Sequence, residues 1–274
     1  MTDTAISRSA LMAAAARAAH LIVDSAPYVF EDRLAAPLLG DAADELIDYH
    51  RQHGDHPVLS GARAQVLCRS RYTEDTLHRS GFSQYVLLGA GLDSYAYRAT
   101  AGVRVFEVDR AATQDYKRAA VSKAGATSNA PEYVAVDFER DDLLSRLAAH
   151  GFDPQRPAVV SWLGVTMYLT REAVERTVSE VARLAPGSLL VLDHMLPEPD
   201  RDAAAQGYVA AVGAMTAANG EPWLSFFSPA DLAALLDAHG LTAEHASQHE
   251  ILGARTDALR PSNLTWMTRA TVRP

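Results

Sequence analysis

Cysteine is all but missing: Cys68 stands alone among 274 residues. That excludes an intramolecular disulfide and a cysteine-based metal cluster, and it points to a reducing, cytoplasmic setting. Positive charge is scarce too. Lys and Arg total 25 against 34 Asp and Glu, a net charge of −9, which argues against general affinity for nucleic acid or an anionic membrane. No apolar run approaches the roughly 20 residues of a membrane span. The alanine-rich stretch 10–23 lacks a basic leader, and Arg17 and His20 interrupt it, so it does not read as a signal peptide. The ten histidines are scattered. His245 and His249 would share one helix face, but no HExxH pattern accompanies them, so they read as surface residues and no metal site is expected.

What is present is an ordered alternation. The first eighty residues read as helical, with apolar positions at helical spacing over 9–24, short segments near 32–39 and 42–49, and a longer helix over 61–80. Short apolar runs then recur at 84–89, 103–109, 133–137, 158–163 and 188–193, with helical patterns over 111–124, 143–150 and 171–184 between them. Strands alternating with helices predict an α/β fold: a mostly parallel twisted sheet, covered by helices on both faces. Residues 195–228 break the alternation with Pro197, Pro199, Gly207, Gly213, Gly220 and Pro222, and read as an insertion carrying a helix over 202–218. Ser228-Pro229 starts another helix, serine as cap and proline in its first position. Two closing strands, 242–247 and 263–272, are expected to pair antiparallel. No repeat or linker divides the chain, so one domain is expected: a helical cap at 1–80, a core at 81–194, a lid insertion at 195–228 and a return to the core at 229–274.

The most informative residues are Gly89-Ala90-Gly91-Leu92-Asp93, where the first strand should turn into a helix. Glycines there let a backbone approach a ligand closely. Asp109, twenty residues beyond Gly89, ends the second strand, where a carboxylate can accept from two ribose hydroxyls. Asp137 ends the third strand and can face an adenine amino group. Three strand ends aim polar groups at one crevice, which points to a nucleoside-containing ligand. Ser94 stands where a dinucleotide fingerprint needs its third glycine, which weakens a nicotinamide cofactor, and no P-loop pattern occurs.

These residues also carry a resemblance. Gly89-Ala90-Gly91-Leu92-Asp93-Ser94, continuing to Ala96-Tyr97-Arg98, resembles the signature of the leucine carboxyl methyltransferase family. So do Phe106-Glu107-Val108-Asp109, Arg69-Ser70-Arg71, Val136-Asp137-Phe138, Gly164-Val165-Thr166-Met167-Tyr168-Leu169, and the stretches around Arg17–His20 and Phe30–Asp32. The resemblance runs from about residue 8 to the C-terminus and implies a Rossmann-like class I methyltransferase using S-adenosyl-L-methionine. It further implies that Arg71 meets the methionyl carboxylate. Gly89, Ala90, Gly91 and Asp93 would form the cofactor turn, Asp109 would hold the ribose, and Asp137 and Phe138 would frame adenine. Glu107 reads equally as a ligand or as buried support. Where many members place a glutamate, this chain has Leu163, so backbone carbonyls near Gly89 or Leu163 would meet the methionyl amino group.

The family's chemistry is methyl transfer to a carboxylate or hydroxyl of a small-molecule or peptide acceptor. A carboxylate is already ionised at neutral pH, whereas a hydroxyl needs a base. His194 and His20 are the candidates for that base. Tyr168 stands where it can orient an acceptor, and Tyr208, Trp223, Phe226 and Phe227 are candidates for an aromatic wall. Two other readings remain open at this point: a cofactor-binding module without turnover, motivated by Leu163, and a nicotinamide-dependent oxidoreductase.

Overall fold

Strand β1 (Gln84–Leu88) is buried at all five positions, and a strand apolar on both sides folds only where both faces of its sheet are covered. The computed structural model describes residues 6–99, 102–126, 129–253 and 258–274. Around β1 it places β2 (Arg104–Asp109), β3 (Glu132–Ala135), β4 (Val159–Trp162), β5 (Leu189–Met195), β6 (Leu241–Ser247) and β7 (Thr265–Val272). Among the described residues these form one sheet of order β3-β2-β1-β4-β5-β7-β6. β7 runs antiparallel to β5 and β6, and the other pairings are parallel. The mixed α/β sheet, mostly parallel, is the one the alternating sequence predicts. The strand order reverses at β1, between β2 and β4, so a crevice opens at the carboxyl ends of β1 and β4.

The covering helices are α1 (Arg8–Val23), α2 (Ala35–Leu38), α3 (Ala43–His53), α4 (Pro57–Ser80), α5 (Tyr95–Arg98), α6 (Ala111–Ala124), α7 (Leu143–Ala149), α8 (Arg171–Val181), α9 (Ala203–Ala218), α10 (Pro229–Ala238) and α11 (Gln248–Leu252). Strand alternation sends Val86, Leu88, Phe106, Val108, Trp162 and Leu192 to one face, against Leu143, Val174 and Leu232. Tyr85, Leu87, Val105, Val159 and Val191 go to the other, against Leu77, Ala120 and Val121. Trp162 and Phe106 lie in the fully buried centre, where loss of such a ring costs about 3–5 kcal/mol.

Several boundaries follow from local chemistry. Ser7 caps α1 by accepting from Ala10 N, and the alanines of α1 let it pack tightly on α2, α3 and α4. α4 begins four residues before the expected 61, because Pro57 suits a first turn and the His56 side chain accepts from Val58 N. It ends at Gly81, whose φ of 67° halts the helix. β3 stops at Ala135, so Asp137 sits beyond the strand in a loop. The Ser247–Glu250 capping box starts the short helix α11, which periodicity does not reveal. His245 therefore lies in β6 and His249 in α11, and the shared helix face expected for them does not form. Among the described residues no helix is long and apolar enough to cross a membrane, and no group of three or more His, Cys, Asp or Glu is placed to hold a metal.

Candidate active site

The turn after β1 is built by two glycines in the left-handed region, Gly89 at φ 69° and Gly91 at φ 49°. Gly89 N and Ala90 N both donate to Val108 O, at 2.8 and 3.1 Å, which holds the turn against the end of β2. A Cβ on Gly89 would stand 2.4 Å from Val165 Cγ2, so the loop after β4 occupies the space that any side chain would need. Gly91 N donates to Asp109 Oδ2 at 2.7 Å, and Arg110 N donates to Oδ1 at 2.7 Å. Burial pushes the Asp109 carboxyl upward, and these two N–H groups pull against that shift. Asp93 is engaged locally: its Oδ1 accepts from Tyr95 N at 2.7 Å.

The third strand contributes from its loop. Asp137 Oδ1 accepts from Glu139 N at 3.0 Å, and its half-exposed side chain lies 3.7 Å from Arg140 Nε. The half-buried Phe138 ring sits 6.4 Å from the Trp162 ring, tilted by 41°. Glu107, inside β2, is buried with Lys117 Nζ 2.5 Å from Oε2. Burial pushes its carboxyl up and Lys117 holds it back, so Glu107 is a support beneath the site.

Charge at the β4 end arises from Asp193 and from Arg69, the first residue of the Arg69-Ser70-Arg71 stretch. Leu163 is half-buried among the apolar residues flanking β1. Beside it, Asp193 at the end of β5 accepts from Gly164 N at 2.6 Å through Oδ1, and its Oδ2 faces Arg69 Nη1 at 3.5 Å. The Asp193 side chain is 1% exposed and that of Arg69 14%. Gly164 has φ 68°, and a Cβ there would stand 2.4 Å from Arg69 Nη1, so the guanidinium lies directly against glycine backbone. Arg71, expected at the methionyl carboxylate, is 43% exposed and pairs with Asp75 on its own helix at 2.8 Å.

The aromatic side of the crevice divides in two. Tyr168, in the short turn 166–168, joins Tyr208, Val209, Trp223 and Phe226 around the buried Met167 and Met195. Burial raises both phenols, Tyr208 to about 12, so both are hydrogen-bond donors at neutral pH. Phe227 does not belong to that wall. It is buried in the core on the α10 face, with the Arg171 guanidinium 5.0 Å from its ring centroid. Phe226 takes the place expected for it.

Neither histidine is placed as a base. His194 is 0% exposed and packs on the same face as Phe227. Its Nδ1–H donates to Phe227 O at 2.9 Å, its Nε2 has no partner among the described residues, and burial drives its pKa down to about 4. His20 donates from Nδ1 to Asp24 at 2.8 Å and accepts at Nε2 from Val29 N at 3.1 Å, so both nitrogens are used within the helical cap.

Comparison with known proteins agrees with this geometry. Residues 10–182 match the model of the leucine carboxyl methyltransferase family. A Bacillus subtilis protein named as an S-adenosyl-L-methionine-dependent methyltransferase is 31% identical, over 89% of this chain and 90% of its own length. A Mycobacterium tuberculosis protein with the same description is 35% identical over 69% of this chain, a match that spans 66% of the mycobacterial protein. In fold, the chain is similar to a Thermobifida fusca protein named as a methyltransferase, with TM-score 0.60 and 20% identity over 88% of this chain and 94% of that one. A DUF574 family protein of Streptomyces avermitilis gives TM-score 0.58 and 16% identity, covering 94% of this chain and 97% of that one. The family match and the relatives, on a seven-stranded sheet of this order with a glycine turn and an acidic residue ending β2, show an S-adenosyl-L-methionine-dependent methyltransferase of the Rossmann-like class. Within that class, the chain belongs to the leucine carboxyl methyltransferase family.

Proposed function

We propose that the chain is an O-methyltransferase that holds S-adenosyl-L-methionine across the ends of β1, β2 and β4 and methylates a carboxylate of a small-molecule or peptide acceptor. The residues fit that cofactor. Gly89 and Gly91 form a tight left-handed turn on which Val165 and Ala10 pack closely, and Asp109 offers a carboxylate beside it for the ribose. Arg69 replaces Arg71 as the partner for the methionyl carboxylate, because its guanidinium lies against Gly164 at the crevice. Asp193 supplies the acidic group missing at Leu163, and Asp137 and Phe138 border the adenine side. When bound, the cofactor supplies an already activated methyl group; the chain's part is alignment and exclusion of water.

The observation that carries the choice of acceptor is that, among the described residues, the candidate bases at this face are engaged. His194 and His20 are engaged elsewhere, the Tyr168 and Tyr208 phenols stay protonated, and Glu221, beside Tyr168, accepts from Ser9. A hydroxyl acceptor needs a base; a carboxylate is ionised without one and matches the donors that Tyr168 and Tyr208 present. Trp223 and Phe226 complete the apolar side of the opening.

The test is calorimetric titration of the chain and its Asp109→Ala variant with S-adenosyl-L-methionine, S-adenosyl-L-homocysteine and NAD, followed by labelled methyl transfer to a panel of carboxylic acids and alcohols. Binding of the first two ligands that is lost in Asp109→Ala, with label in base-labile esters, is expected. Label found only in ethers would overturn the carboxylate assignment. Cofactor binding without transfer to any acceptor would favour a binding module, and NAD binding alone would favour an oxidoreductase.

A further inference from the structure

Two stretches of chain 212 residues apart meet over the glycine turn. Ser9, in the first turn of α1, donates its N–H to Glu221 Oε2 at 3.1 Å and its hydroxyl to Oε1 at 3.2 Å. The next residue, Ala10, has its Cβ 3.3 Å from where a Cβ on Gly91 would stand, so this end of α1 lies on the turn itself. Further along, Arg17 donates to Leu92 O at 2.6 Å and to Asp32 Oδ2 at 2.9 Å, both buried contacts. The middle of α1 is thus fixed to the turn by a buried arginine. Its start is held by the partly buried Glu221 carboxylate, with Tyr168 also hydrogen-bonded to the Ser9 side chain.

That carboxylate stands on a firm base. Glu221 N donates to Thr216 O at 2.9 Å, and the amides of Leu224 and Ser225 donate to Met167 O at 2.6 and 3.3 Å. Residues 221–225 are therefore tied both to the end of α9 and to the turn that carries Tyr168. If the Ser9 contact opens, the first turn of α1 can lift while both Arg17 and the 221–225 segment keep their places.

We propose that Glu221 is a positioning residue for methyl transfer: by holding Ser9 it keeps the first turn of α1 over Gly89–Gly91, and the cofactor enters and leaves when this contact opens. The inference rests on the cofactor lying along that turn, as argued above. Hydrogen bonds to a charged group are the stronger kind, so removing both acceptor oxygens should speed opening roughly tenfold, equivalent to about 1.4 kcal/mol.

The experiment measures release of labelled S-adenosyl-L-homocysteine from the wild type and from Glu221→Ala, Glu221→Gln, Ser9→Ala and the Ser9→Ala/Glu221→Ala double variant. Hydrogen exchange of the α1 amides is followed in the same proteins without ligand. Release should be about tenfold faster in Glu221→Ala and intermediate in Glu221→Gln and Ser9→Ala. The double variant should be no faster than Glu221→Ala, and the melting temperature should fall by only a few degrees. Exchange should quicken at the start of α1 and not around Arg17. Unchanged release in Glu221→Ala overturns the proposal, and so does unchanged exchange. If the wild type binds no S-adenosyl-L-homocysteine, the cofactor reading fails; the exchange measurement still decides whether Glu221 holds α1 down.

Discussion

Replacing Arg69 by alanine should weaken binding of S-adenosyl-L-homocysteine about 10- to 100-fold, and replacing Arg71 should change it less than twofold. The magnitudes come from the two environments. Arg69 lies against Gly164 at the crevice, 14% exposed, with its Nη1 facing Asp193. A hydrogen bond to a charged partner in such a place contributes roughly 1.5–3 kcal/mol, and each 1.4 kcal/mol is a factor of ten in affinity. Arg71 is 43% exposed and pairs with Asp75 one helical turn away, a contact of about 0.3–0.5 kcal/mol that does not reach the crevice. Calorimetric titration reads the affinities directly. One complication is built in: without Arg69, Asp193 is left 1% exposed with Gly164 N as its remaining partner, which should cost about 1–3 kcal/mol of stability. Arg69→Gln separates the effects, since an amide can still donate to Asp193 while lacking the charge. Its melting temperature should recover in part and its affinity should stay low. Binding abolished by Arg71→Ala and preserved in Arg69→Ala would refute the reasoning.

The contrast between these two arginines shows where the sequence was legible and where it was not. The alternation of apolar runs and helical stretches placed every strand that builds the crevice, because burial on both faces leaves a compositional trace in the chain itself. The glycine turn and Asp109 were legible for a similar reason: positive φ at Gly89 and Gly91 limits the residue type. Several differences at the candidate site are differences of face. Residues 69 and 71 are separated by about 200° around a helix, so one of them must turn from the crevice. The polar Ser70, Thr73 and Thr76 in the buried stripe of α4 hide which one does. Asp193 and His194 are neighbours on β5, and alternation sends one to Arg69 and the other to Phe227. Phe226 and Phe227 divide in the same way, with Phe227 N pairing to Met195 O beside the sheet. The sequence names the right neighbourhood in each case; the side depends on packing partners far away in the chain.

Two further perturbations probe the turn and the buried histidine. Gly89→Ala should lose cofactor binding at least tenfold, since it adds a methyl 2.4 Å from Val165 Cγ2 to the left-handed strain of roughly 1–2 kcal/mol. Gly187→Ala, at φ 84° with open space around it, carries the strain alone and should bind normally; adding Val165→Ala to Gly89→Ala should restore part of the loss, and no rescue would mean that Val165 is not the obstacle. His194 should contribute to acid sensitivity. Burial holds its folded-state pKa near 4, below the ordinary 6.5, so the unfolded chain takes up the proton first as pH falls. The stability it contributes is complete above pH 6.5 and is lost on the way down to about 4, in total roughly 3 kcal/mol. His50, likewise lowered to about 4 by burial and then by Arg63, adds its own slope over the same range. In His194→Asn, whose amide can still donate to Phe227 O, urea midpoints measured from pH 7 to pH 4 should therefore fall about half as steeply as the histidine-linked part of the wild-type decline. Identical slopes in the two proteins would mean that His194 is protonated in the folded state and that its Nε2 has found a partner.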